Sequence, residues 1–174
     1  MNNLYLNIGS GQRPFKPPFI NVDCQAKWNP DVVADGASMP MFADNSAKVI
    51  VLHHVLEHFG CGEAKALLTE CHRILHPRGT IHVFVPDLWE LASMWKEGMI
   101  TDQVYATNLY GAYMGDEADR HKWGFTYNSL RALLQKCGFP WPFPAHATDP
   151  DLAMADIARD RWILGLTAYK AFDI

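Results

Sequence analysis

Six short apolar runs punctuate the chain: Leu4–Ile8, Phe19–Asp23, Asp31–Asp35, Lys48–His53, Thr80–Pro86 and Trp162–Tyr169. They do not alternate cleanly between apolar and polar, which is the pattern of central strands covered on both faces. Between the fourth and fifth runs the period changes. Ala64, Leu67, Leu68, Cys71, Ile74 and Leu75 recur at helical spacing while Glu63, Lys65, Glu70 and Arg73 fall opposite, predicting an amphipathic helix stopped by His76-Pro77-Arg78-Gly79. Asp87 followed by Glu90 predicts a capped helix to about Glu97, and another opens near Thr101. Leu130, Leu133, Leu134 and Cys137 mark a further helix ended by Gly138. A proline-rich stretch over 139–150 closes with Asp149-Pro150, read as an N-cap and first helical residue. The alternation predicts an α/β fold: a doubly wound, mostly parallel sheet with helices on both faces, in one domain over residues 1–174.

One connection breaks the pattern. Only seven residues, Gln12–Pro18, separate Gly11 from the second run, and Pro14, Pro17 and Pro18 are among them. Proline breaks helix interiors, so the helix after the first strand is expected to be missing. A parallel crossover normally takes a dozen or more residues. Ten extended residues nonetheless reach roughly 33 Å, enough to double back along a short strand.

Charge and cysteines narrow the classes. The 174 residues carry 19 acidic and 15 basic side chains, a net charge of −4 with no Lys/Arg run. That argues against a nucleic-acid partner. No apolar run is long enough for a membrane span. Cys24, Cys61, Cys71 and Cys137 form no C-x-x-C and are expected to be buried, reduced thiols. With no leader at the start of the chain, the expected location is cytoplasmic. His54-Val-Leu-Glu57-His58 matches H-x-x-E-H, the inverted zinc-peptidase signature. No third ligand can be assigned and the chain is short for that class, so a zinc hydrolase is the remotest reading and no metal site is assigned. A dinucleotide loop is disfavoured too, because Gly9-Ser-Gly11-Gln-Arg-Pro14 lacks its third glycine.

The remaining chemistry sits at predicted strand ends, where doubly wound sheets bind ligands. In order these are Gly9-Ser10-Gly11, Asp23, Asp35-Gly36, His53-His54 and Pro86-Asp87. Glycines allow close backbone approach, and an acid after the second strand suits a ribose diol. These residues resemble the class I S-adenosylmethionine-dependent methyltransferases: Leu6-Asn7-Ile8-Gly9-Ser10-Gly11, Asp31-Val-Val-Ala-Asp35-Gly36-Ala37, Met39-Pro40, His53–Phe59, Glu70–Gly79 and Val85-Pro86-Asp87. The resemblance covers roughly residues 4–138 and is similar, more narrowly, to a small branch with a VPDL-like segment and an HKWGFT-like loop.

The resemblance implies S-adenosyl-L-methionine as cofactor. Gly9, Ser10 and Gly11 would approach its methionyl part and Asp23 its ribose hydroxyls. Asp35 would accept from the adenine amine beside the Gly36-Ala37 backbone, with the main chain at His53 lining the methionyl pocket. His54, Asp87 and His121 are the catalytic candidates; His58, weighed beside them, is expected, with Glu57, to pack or cap a short helix. Residues 87–125 could form a lid. Without the first helix, Arg13 or Lys16 is expected to partner the methionyl carboxylate. The helices that precede the first strand in many small-molecule relatives are expected to be absent, leaving an open site that suits a large substrate, a homodimer or a partner-completed pocket. The expected acceptor is a sugar or glycan intermediate or a small metabolite. A non-catalytic cofactor-binding or scaffold subunit is the alternative.

Overall fold

The computed structural model describes residues 4–112, 116–146, 149–155 and 160–170. Seven strands form one sheet: β1 (Leu4–Ile8), β2 (Phe19–Asp23), β3 (Val32–Val33), β4 (Ala47–His53), β5 (Leu75–Pro86), β6 (Phe143–Pro144) and β7 (Ile163–Tyr169). Their spatial order is β3-β2-β1-β4-β5-β7-β6. The first five run parallel, and β7 pairs antiparallel with both β5 and β6. The order reverses beside β1, which places the switch point, and hence the binding crevice, at the carboxyl ends of β1 and β4.

Five helices follow the predicted punctuation. Helix α1 (Cys61–Ile74) lies between β4 and β5, and α2 (Leu88–Lys96) and α3 (Asp102–Tyr110) come after β5. Helix α4 (Tyr127–Lys136) precedes β6, and α5 (Pro150–Ala155) lies between β6 and β7. The caps explain the starts: Asp87 accepts from the amides of Trp89 and Glu90, Thr101 from that of Val104, and Thr126 from that of Ser129. Helix α4 stops where Gly138 takes a φ of 93°, a left-handed conformation that costs glycine no steric penalty.

The two faces of the sheet are covered unequally. On the first, Leu6, Ile8, Ile50, Leu52, Ile81 and Val83 pack against Leu67, Leu68 and Ile74 of α1 and Leu130 and Leu134 of α4. On the second, Phe19, Val49, Val51 and Phe84 meet, among the described residues, Phe15 of the first crossover, Ala145, and Leu152 and Ala155 of α5, with Tyr5 and Ile163 beside them. Of the four cysteines, Cys71 and Cys137 are buried as expected, while Cys24 and Cys61 are exposed. The strand β5 begins at Leu75 rather than Thr80, because the backbone of His76–Gly79 is taken into the strand. A register shift absorbs the extra residues, Ala47 pairing with Leu75 but Val49 with Thr80. The third strand is shorter than its apolar run, and the two-residue β6 inside the proline-rich stretch was not expected.

Residues 12–18 contain no helix, as the prolines require. The side chain of Asn21 holds this crossover in place. Its amide nitrogen donates to Phe15 O at 3.0 Å while its oxygen accepts from Phe15 N at 2.8 Å. The Phe15 ring meets Phe19 edge-on at 5.2 Å, so a polar clasp and an aromatic contact replace a helix face.

Candidate active site

A cavity of about 390 Å³ opens at the predicted switch point, walled by Gly9, Gly11, Asp23, Asp35, Gly36 and His54 among others. The turn after β1 folds back on β2, the amides of Gly9 and Ser10 both donating to Val22 O at 2.7 and 3.1 Å. Gly9 has a φ of 72°, and a Cβ there would lie 2.5 Å from Val55 Cγ2. Only glycine lets the chain pass this close to the loop after β4.

Asp23 is 8% exposed and organises the rim. Its Oδ2 accepts from Gly11 N at 2.8 Å and its Oδ1 from Gln25 N at 2.8 Å. Each carboxylate oxygen keeps a further lone pair for a ligand hydroxyl. Asp35 accepts from Ala37 N at 2.9 Å, tightening the turn after β3. A Cβ on Gly36 would stand 2.8 Å from Leu67 Cδ1, so the bare backbone forms that wall against α1. The Ser10 hydroxyl oxygen is buried with no hydrogen-bond partner among the described residues.

The histidines after β4 have separate environments. His53 is largely buried, its ring edge-on to Phe84 and His54, and Nε2 has no partner among the described residues. Burial, reinforced by neighbouring His54, pushes its pKa down to about 4. His54 adopts a φ of 56° and lines the cavity. Its Nδ1 lies 2.9 Å from Glu57 Oε1; a carboxylate only accepts, so Nδ1 carries the proton and Nε2 the lone pair. Glu57 itself is 1% exposed, in a 3-10 turn over Leu56–His58.

The loop before α4 closes over this turn. The amides of Lys122 and Trp123 donate to Glu57 O at 2.8 and 3.1 Å, and His121 N donates to Tyr110 O. This brings His121 to His58, ring centroids 4.9 Å apart, and Lys122 to the cavity wall. His121 is partly buried, and that burial holds its pKa below the usual histidine value.

The sequence-derived residues thus fall into groups. Gly9, Gly11, Asp23, Asp35, Gly36, His54 and His58 line the cavity, while Ser10, Ala37 and His53 are not among its lining residues. His121 groups with Glu57 and His58. Asp87 is different: its carboxylate caps α2 and is not among the cavity-lining residues. Arg13 and Lys16 are exposed and absent from the lining, though Arg13 is close enough to disfavour a charge on His53. H-x-x-E-H does not form one helix face, because His54 lies outside the turn that holds Glu57 and His58. Trp28, Phe59 and Lys122 also line the cavity; nothing in the local pattern marked the two aromatics, whereas Lys122 adjoins a singled-out histidine.

Residues 15–83 match the family model described as a methyltransferase domain, a span running from the first crossover into β5. No curated protein matches the sequence. Among solved structures, an S-adenosylmethionine-dependent methyltransferase from Archaeoglobus fulgidus superposes with a TM-score of 0.63 at 15% identity, over 97% of this chain and 86% of that one. One from Methanosarcina mazei gives 0.63 at 15% identity over 99% and 94%. The Burkholderia thailandensis 1,6-didemethyltoxoflavin-N1-methyltransferase, bound to 1,6-didemethyltoxoflavin and S-adenosylhomocysteine, gives 0.57 at 16% identity over 98% and 72%. At these identities the likeness establishes the fold. The chain thus has the fold of S-adenosylmethionine-dependent methyltransferases, and its residues 15–83 are similar to the methyltransferase-domain family.

Proposed function

We propose that this protein is an S-adenosylmethionine-dependent methyltransferase acting on a small-molecule acceptor, with sugar or glycan intermediates the preferred class. The observation that carries the reading is the pairing of Asp23 and Asp35 at the ends of two adjacent strands around one glycine-walled cavity. In this reading Asp23 holds the ribose hydroxyls by charge-assisted hydrogen bonds. Asp35 accepts from the adenine amine, and the backbone of Gly36 and Ala37 lies along the ring. Gly9, Ser10 and Gly11, with the main chain at His53, face the methionyl part. The buried, unpartnered Ser10 hydroxyl supplies a polar atom that this end can use.

Bound S-adenosylmethionine supplies a methyl group on a sulfonium, transferable by direct displacement. The protein's part is alignment, exclusion of water and custody of the acceptor's proton. His54 fits the last role: Glu57 fixes its tautomer and leaves Nε2 as the basic atom at a cavity-lining side chain. Ala118, Asp119 and Lys122 supply the wall on this side, and in this reading they belong to the cover over the acceptor. Similar structures extend to small-molecule chemistry, since one of them holds 1,6-didemethyltoxoflavin.

Equilibrium titration with S-adenosylmethionine and S-adenosylhomocysteine tests the cofactor assignments. Asp23→Ala and Asp35→Ala should each weaken binding roughly 10–100-fold, the value of hydrogen bonds to a charged group. A panel of hydroxylated acceptors then tests turnover, with His54→Gln expected to lower kcat at nearly unchanged cofactor affinity. Binding without turnover on any acceptor would favour the non-catalytic subunit instead.

A further inference from the structure

Beside the cavity, Glu57, His58 and His121 each offer one ligand atom, all within 4.8 Å of one another. The hydrogen bonds around them fix what those atoms are. His58 Nδ1 lies 3.1 Å from Arg120 O, and His121 Nδ1 lies 2.9 Å from Asn108 O. A carbonyl oxygen only accepts, so both Nδ1 atoms carry protons and both Nε2 atoms keep lone pairs in the neutral rings. Glu57 Oε1 is taken by His54, while Oε2 is buried with no hydrogen-bond partner among the described residues. The atoms left available on this cluster are therefore three acceptors with no hydrogen among them. A buried carboxylate oxygen left this way is costly unless a cation completes it.

We propose that Glu57 Oε2, His58 Nε2 and His121 Nε2 bind one divalent metal ion of the borderline class, such as Zn²⁺ or Co²⁺. Two imidazoles and a carboxylate are the donor set such ions take, and three protein ligands leave a position open. The surrounding bonds are the supporting shell a metal site needs: each ligating histidine donates its other nitrogen to a backbone carbonyl, and the carboxylate's second oxygen is held by His54. The left-handed φ of His54 belongs to the same arrangement, a conformation that persists where surrounding contacts enforce it. Because His54 and His58 line the cavity, an ion held by His58 would sit at the cavity wall. An ion there polarises an acceptor oxygen next to the base His54. That role rests on the methyl-transfer reading, whereas the binding of the ion does not.

The test uses the full chain, stripped with chelator and without methyl donor, so that failure here is separate from failure of cofactor binding. Zn²⁺ and Co²⁺ are titrated alone, and bound metal is counted per chain. One ion per chain is expected, with Zn²⁺ raising the thermal midpoint. His58→Ala and His121→Ala should each weaken binding by at least the roughly 10–100-fold that loss of a supporting partner costs. The Co²⁺ form of the unaltered protein should show two exchangeable, hyperfine-shifted Nδ1–H proton signals, a readout that needs no variant. Asp149→Asn, in the other histidine–carboxylate grouping with His82 and Asp151, should leave binding unchanged. No stoichiometric binding, affinity unchanged from the unaltered protein in either histidine variant, fewer than two such signals, or loss of the ion in Asp149→Asn would each overturn the proposal.

Discussion

The Asn21 side chain brackets the backbone of Phe15, donating to its carbonyl and accepting from its amide. The same side chain accepts from Asn7 Nδ2 at 2.9 Å and donates to Asp31 Oδ2 at 3.0 Å. One buried amide thus joins β1, the helix-free crossover and the approach to β3. Asn21→Leu keeps the volume but strands these partners, and each unsatisfied buried group costs about 1–3 kcal/mol. Chemical denaturation should show a loss of roughly 2–4 kcal/mol. Cofactor affinity should fall as well, since the released crossover leads directly out of the glycine turn.

Gly9 gives a sharper test of that turn. A methyl group there meets Val55 Cγ2 at 2.5 Å on a backbone with a φ of 72°. Overpacking and the left-handed conformation each cost about 1–3 kcal/mol. Gly9→Ala should therefore lower stability and abolish measurable cofactor binding by calorimetry. Adding Val55→Ala removes the clash but not the φ strain, so the double variant should recover only part of the loss. Full recovery would show that strain at Gly9 is negligible.

The pKa of His53 shapes the acid limb of stability. Its folded value, about 4, lies below the ordinary histidine value of 6.5. Between those values the unfolded chain binds the extra proton, so stability rises with pH across this window. The contribution is intact above about 6.5, is lost as pH falls, and is exhausted near 4; its upper bound is roughly 3 kcal/mol. Denaturant melts of His53→Gln should show a flatter slope over that window than the unaltered protein. Equal slopes would assign the acid sensitivity elsewhere.

Arg73 ties α1 to the segment before β4. Its guanidinium bonds Glu70 through Nε and Nη2 at 2.8 Å and Asp44 through Nη1, and also donates to Met39 O and Phe42 O. The hydrogen bond from Arg73, the larger effect, and that from Met39 N hold the Glu70 carboxyl below its usual pKa. Arg73→Ala should cost about 2–3 kcal/mol, since the partly buried Glu70 loses its cation. Arg73→Lys keeps the charge but not the forked geometry and should restore less than half in thermal melts.

Much of this was legible in the sequence because the signals were local. The apolar runs, the α1 stripe and the caps at Asp87 and Thr101 each act within a few residues, and the prolines at 14, 17 and 18 excluded a helix without reference to the rest of the chain. Two misreadings have a shared cause in strand pairing. The two-residue β6 has no apolar run of its own and exists because β7 offers it an edge, Phe143 pairing with Thr167. Likewise β5 starts early because β4 offers Leu75 a partner at Ala47. At the site, the strand-end residues around the cavity followed from order along the chain. The meeting of His121 with Glu57 and His58 did not, because it depends on backbone bonds from Lys122 and Trp123 to Glu57 across a long separation. Asp87 shows the reverse: its position after a strand marked it for chemistry, while its spacing to Glu90 already gave the capping role it has.

The uneven cover of the sheet also bears on how the molecule forms during synthesis. Val49, Val51 and Phe84 sit in strands made early, yet the side chains that shield them from water, Leu152 and Ala155, belong to α5. The partner of β5 on its outer edge, β7, comes later still. A nascent chain that stops short of these elements holds a sheet with one bare apolar face and an unpaired edge, a state prone to association. Completion of the fold therefore waits on α5 and β7, and the parallel half built first is protected by elements translated after it.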